Sequence, residues 1–147
     1  MNTSGLRAIL LAEDSPADAE MAIDALQEAN LANPIVHVQD GVEALDYLYA
    51  RGKHAGRPPG DPAVLLLDIK MPRMDGLEVL QDMRNNALMR RIPVVMLTSS
   101  REENDLARSW DLGVNAYVVK PVDIDQFFTA VKTIGRFWAL INEVPED

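Results

Sequence analysis

Cysteine is absent from the 147-residue chain, which excludes disulfides and thiolate metal sites and fits a reducing compartment. Histidine is scarce. The two present, His37 and His54, form no helical pair, and without thiols beside them neither suggests zinc or a phospho-donor. Long apolar runs are missing too, since no stretch approaches the ~20 uninterrupted apolar residues of a membrane helix. The N-terminal apolar run ends at Ala12 against Glu13-Asp14, too soon for a signal peptide. A cytoplasmic protein with no membrane partner is expected. Basic residues are outnumbered, 14 Lys and Arg against 23 Asp and Glu, for a net charge of −9 and a pI near 4.6. Neutralising nucleic-acid phosphates requires clustered Lys and Arg, so no nucleic-acid partner is expected. Arg84 and Met89-Arg90-Arg91 read as solvated helix and loop ends.

What is present is alternation. Short apolar runs at Arg7 to Ala12, Ile35 to Gln39, Ala63 to Asp68, Pro93 to Thr98 and Ala116 to Val119 take turns with stretches of helical period. That order implies an α/β fold, a doubly wound five-stranded parallel sheet with five helices. Ala63 to Leu67 and Val94 to Leu97 are continuously apolar, as strands covered by helices on both faces must be. Ser15-Pro16 supplies an N-cap and a first-turn proline for one helix. Gly41 to Tyr49, Gly76 to Arg84 and Arg101 to Leu112 are the next three, with Gly113 placed as a C-cap. The fifth begins after Asp123, with Phe127, Val131, Ile134, Trp138 and Ile141 on one stripe and Phe137 and Leu140 off it. Arg51 to Pro62, with three prolines and three glycines, reads as a long surface loop. There is no internal repeat, low-complexity tract or linker, and a single domain over 1–147 without an output domain is expected.

In an open parallel sheet, ligands bind beyond the carboxyl ends of the strands. Those ends carry Glu13-Asp14, Asp68, Thr98-Ser99-Ser100 and Lys120-Pro121. Singly, each has an ordinary explanation: a helix-start acid, a turn residue beside Met71-Pro72 and Asp75-Gly76, an N-cap threonine, a solvated lysine. Together they place three carboxylates, a hydroxyl and an ammonium on one rim. Hard carboxylate oxygens suit Mg²⁺, and a carboxylate can be the covalent nucleophile of a phosphoryl transfer while cations neutralise the moving charge.

The motifs Leu10-Leu11-Ala12-Glu13-Asp14-Ser15, Leu66 to Gly76, Val94 to Ser99 and Ala116 to Pro121 resemble, in order, those of the receiver domain of two-component response regulators. The resemblance implies the flavodoxin-like receiver fold with strand order 2-1-3-4-5. It implies Asp68 as phospho-acceptor, and Mg²⁺ held by Asp14, Asp68 and the Lys70 carbonyl, with Glu13 acting through a bound water. Lys120 and Thr98 would contact the phosphoryl group, Tyr117 would move with Thr98, and the Lys120-Pro121 bond would be cis. Lys70 and Ser100, two residues beyond Asp68 and Thr98, are expected to tune phosphate lifetime more than phosphorylation capacity.

A sensor histidine kinase is the implied donor. The long loop, Trp110, Asn115 and the Phe137-Trp138 pair make the chain similar to single-domain response regulators associated with bacterial phytochrome kinases. Two rival functions would leave different residues in this pattern. An aspartyl-phosphatase would carry a second Asp where Lys70 stands, and a phosphorylation-independent pseudo-receiver would lack part of the constellation. The apolar pair Phe137 and Leu140 suggests a two-fold homodimer through the fifth helix.

Overall fold

The computed structural model describes residues 7–121, 123–126 and 129. Five strands, β1 (Ile9–Ala12), β2 (Ile35–Val38), β3 (Val64–Leu67), β4 (Val94–Thr98) and β5 (Ala116–Val119), form one parallel sheet in the order β2-β1-β3-β4-β5. Four α-helices are described: α1 (Pro16–Glu28), α2 (Gly41–Leu48), α3 (Gly76–Arg84) and α4 (Glu103–Asp111). Residues 124–126 and 129 are helical, and the amide of Gln126 bonds the Asp123 carboxylate at 3.0 Å, the start expected for the fifth helix. The stripe from Phe127 to Ile141, with Phe137 and Leu140, lies outside the described residues.

The continuously apolar strands are sandwiched as their composition requires. Leu10, Ala12, Leu65, Leu67, Val94 and Met96 face a layer containing Ala44 and Leu45 of α2 and Leu77, Leu80 and Met83 of α3. Ile9, Leu11, Val64, Leu66, Val95 and Leu97 face the other way, onto Ala19, Ala22 and Leu26 of α1. Burying each of the larger side chains contributes about 2 kcal/mol of transfer free energy. The alternation fixes the register, because a one-residue slip would exchange the two faces.

Helix starts are where the sequence commits most firmly. Ser15 accepts from the Asp18 amide at α1, Asp40 from the Glu43 amide at α2, and Asp75 forms a reciprocal capping box with Glu78 at α3. Asn115, an unusual residue before a core strand, is explained by its bonds: its amide donates to the Val94 carbonyl and its Oδ1 accepts from the Val94 amide, both at 2.8 Å. The helix expected from Arg101 starts two residues later, at Glu103.

The loop from Arg51 to Pro62 is more ordered than its composition predicts. Gly52–His54 makes a turn of 3₁₀ helix, and the loop is pinned to α2. His54 and Lys53 both reach Glu43 Oε2, at 2.9 and 3.0 Å, and the Arg57 guanidinium lies 4.3 Å above the Tyr47 ring. His54 is therefore a structural ligand of a carboxylate.

Candidate functional site

The register carries the strand-end residues to one rim. Ala12 pairs with Leu67, so Glu13 and Asp68 follow side by side, and Thr98 pairs with Val119, so Lys120 follows directly. The amides of Glu13 and Asp68 are held by Val38 O at 3.0 Å and Ala12 O at 3.1 Å, which ties these two residues to the sheet. Gly76 lets α3 start against the acceptor strand: a Cβ there would stand 2.1 Å from the Asp68 carbonyl oxygen.

Glu13, Asp68 and Lys120 are 2%, 5% and 8% exposed, while Asp14 faces solvent. The Lys120 ammonium bonds Asp68 Oδ2 at 2.9 Å, Asp18 Oδ2 at 3.0 Å and Glu13 Oε1. Glu13 Oε2 accepts from the Ser15 amide, and the Glu13 carbonyl is 2.7 Å from His37 Nε2. His37 thus serves the backbone of β1 from the edge strand. The Lys120-Pro121 bond is cis.

Too much negative charge meets one ammonium. Burial, with the charge of Asp68 added, pushes the Glu13 carboxyl up to about 7 in spite of its bond to Lys120. Burial alone would lower the Lys120 ammonium, but its bonds to Glu13, Asp68 and Asp18 outweigh that and hold it above the usual lysine range. Without a cation, therefore, Lys120 stays charged and Glu13 is the group that takes up a proton.

Glu13, Asp14 and Asp68 each offer an oxygen within 4.8 Å of the other two. Asp68 Oδ1 is buried with no hydrogen-bond partner among the described residues. An orphaned carboxylate oxygen inside an acidic cluster is costly unless something positive completes it, so these residues fit a hard divalent cation with oxygen ligands.

On the other side of the rim Thr98 is fully buried, and its Oγ1 accepts from the Ser100 amide at 3.3 Å. The Tyr117 hydroxyl donates to the Ser100 carbonyl at 2.8 Å, and burial, with Asp105 and Asp68 among the nearby charges, raises its pKa. The Ser100 hydroxyl donates to Asp105, and the Lys70 ammonium lies 3.6 Å from the same carboxylate. Every described strand-end residue singled out in the sequence thus stands on one rim. Asp18 and Asp105 were missed, because an acid in the first turn of a helix is commonplace and carries no signal of its own. Phe137 and Leu140 lie outside the described residues. No helix among the described residues is long and apolar enough to cross a membrane.

Known proteins share this fold. Response regulator Rcp1 of Synechocystis sp. is 36% identical over 132 residues, 90% of this chain and 88% of Rcp1. The Mn²⁺-bound Rcp1 structure superposes with a TM-score of 0.75 at 34% identity, covering 95% of this chain and 99% of that one. The bacteriophytochrome response regulator AtBRR is 59% identical with a TM-score of 0.85, covering 94% of this chain and 99% of its own. Phosphorylated RcpA, a cyanobacterial phytochrome response regulator, is 37% identical with a TM-score of 0.76 over 97% of this chain and all 100% of its own. The response regulator receiver domain family matches residues 9–132, taking in all five strands and the whole rim, and the chain belongs to that family.

Proposed function

We propose that this chain is a receiver that accepts a phosphoryl group from a histidine kinase onto Asp68. The observation that carries the reading is the buried Asp68 carboxylate, with Oδ2 held by Lys120 and Oδ1 left without a partner. One fixed oxygen orients the group, and the free one is what a cation or a phosphorus atom requires. In the transfer, an Asp68 carboxylate oxygen forms a bond to phosphorus as the bond to the donor histidine nitrogen breaks, and that nitrogen leaves with the electron pair. Lys120 stays beside Asp68 to neutralise the acyl phosphate, and Thr98, at the end of the neighbouring strand β4, is the hydroxyl that would contact it. Asp14, Asp68 and the Lys70 carbonyl, with Glu13 acting through a bound water, would hold Mg²⁺, which would supply further neutralisation of charge on the phosphoryl oxygens.

Phosphatase chemistry is disfavoured, since Lys70, standing where the second Asp would act, is turned to Asp105. The relatives support a phytochrome-type donor: AtBRR and RcpA are phytochrome response regulators, and Rcp1 has been captured with a divalent cation. In this reading the chain works in the cytoplasm and signals through partner proteins, and Phe137 and Leu140, outside the described residues, are proposed to build a homodimer. Sedimentation of wild type and Phe137→Ser, each with and without phosphorylation, tests that assembly, and a wild type monomeric throughout removes it.

The test of the acceptor is intact mass after acetyl phosphate and Mg²⁺. Wild type gains one phosphoryl group and Asp68→Asn gains none. Labelling of the Asn variant at full stoichiometry would overturn the assignment, and an unlabelled wild type would favour a pseudo-receiver.

A further inference from the structure

The start of α4 holds a polar cluster that the phosphoryl chemistry above leaves unused. Asp105, in the first turn of α4, is buried. Its Oδ2 accepts from the Ser100 hydroxyl at 2.7 Å and lies 3.6 Å from the Lys70 ammonium. Ser100 is bonded at every polar atom. Its amide donates to Thr98 Oγ1, its carbonyl accepts from the Tyr117 hydroxyl, and its own hydroxyl also accepts from the Glu102 amide at 3.4 Å. One carboxylate therefore joins the loop after β3, the loop after β4 and, through Ser100, strand β5.

A helix-start role alone does not account for this. An acid in the first turn favours the helix dipole without being buried, and Glu103 already does so from an exposed position. Burying a carboxylate costs several kcal/mol unless its partners compensate. The partners of Asp105 are Lys70 and Ser100, which stand two residues beyond Asp68 and two beyond Thr98. The Lys70 side chain is 63% exposed and that of Asp105 8%, so the pairing draws a solvent-side ammonium onto a fixed point of α4.

We propose that Asp105 is a positioning residue that lengthens the life of the phosphoryl group on Asp68; the inference rests on the acceptor reading above. Loss of the group is hydrolysis: water oxygen bonds phosphorus, the bond from phosphorus to the Asp68 oxygen breaks, and inorganic phosphate and the free carboxylate result. The water must be oriented in line, and the Ser100 hydroxyl and Lys70 ammonium, each two residues beyond a rim residue, are groups able to hold it. With Asp105 in place, the Ser100 hydroxyl donates to Asp105 and the Lys70 ammonium is tethered to the same carboxylate. Both groups are then unavailable to the water.

The experiment loads the full chain with acetyl phosphate and Mg²⁺, removes the donor and follows the phosphoryl group by intact mass. Asp105→Ala shortens its half-life by about threefold or more. Asp105→Asn, nearly isosteric, keeps an acceptor for Ser100 but releases Lys70, and falls between; it carries the test if the alanine variant fails to fold. In a Lys70→Ala/Ser100→Ala background, Asp105→Ala changes nothing further, because it acts through those two side chains. Equal half-lives in wild type and both Asp105 variants overturn the proposal. So does a shortening of the same size in the double-variant background, which marks a structural role. A wild type that takes no label overturns the acceptor reading itself, and the role of Asp105 with it.

Discussion

Around Lys120, three carboxylates share one ammonium, a fourth stands beside them, and Asp68 Oδ1 has no partner; around Tyr117, every polar atom of Ser100 is bonded and Asp105 is matched on two sides. The two halves of the rim are built from similar residue types at the same edge of one sheet, yet one is electrostatically frustrated and the other satisfied. Frustration is what a binding site for outside charge needs, since a cation or a phosphoryl group with its cation relieves it. A satisfied network can respond to that event only by exchanging bonds, which suits it to transmit the event.

The largest expected effect breaks the frustrated half. Lys120→Met leaves Glu13, Asp18 and Asp68 without their cation and destabilises the metal-free protein by about 3 kcal/mol at pH 8. At pH 6 the loss is smaller, because Glu13, whose carboxyl sits at about 7, is then protonated. Denaturant melts at the two pH values check this, and equal losses would contradict the placement of the excess charge.

Gly76→Ala follows, at about 2 kcal/mol, because the new methyl must displace the Asp68 backbone at the acceptor itself. The signature is a loss of stability accompanied by slower phosphorylation. Asp14→Ala works in the opposite sense: it removes repulsion and raises metal-free stability by about 1 kcal/mol, while weakening Mg²⁺ binding at least tenfold by calorimetry.

The wild type itself carries a pH effect of fixed sign. Glu13 has a folded value of about 7 against an ordinary 4.5, so the folded chain keeps a proton that the unfolded chain has released. Metal-free stability therefore falls as pH rises from 4.5 to 7, and saturating Mg²⁺, by competing with that proton, flattens the slope. The least effect falls on the satisfied half, where Tyr117→Phe costs about 1 kcal/mol at any pH between 5 and 8.

How far the sequence reveals each half follows the same division. Strands at Val64–Leu67 and Val94–Thr98 are legible because burial on both faces demands unbroken apolar runs, and their ends name Asp68 and Thr98. Glu13 is legible for the same reason, and Lys120 from its place after the half-buried edge run Ala116–Val119. Asp18 and Asp105 are not, since their importance arises from the angle at which α1 and α4 return to the sheet, and helix-start acids look alike whether buried or solvated. α4 starts two residues after the Arg101 that the pattern suggests, because Ser100 spends its hydroxyl on Asp105 and the Glu102 amide, and the helix begins once that turn is complete. The 3₁₀ turn at Gly52–His54 escaped because it depends on Glu43, a contact that no local pattern announces.

The contact between His37 and the Glu13 carbonyl has a practical consequence. The chain contains two imidazoles, one on the backbone of the acidic rim and one on Glu43 of α2. Their ring-proton resonances form a native pair of probes, in which the His37 signal shifts as the rim fills and the His54 signal serves as the internal reference. Occupancy of the site can then be followed by proton NMR in the unlabelled, unmutated protein.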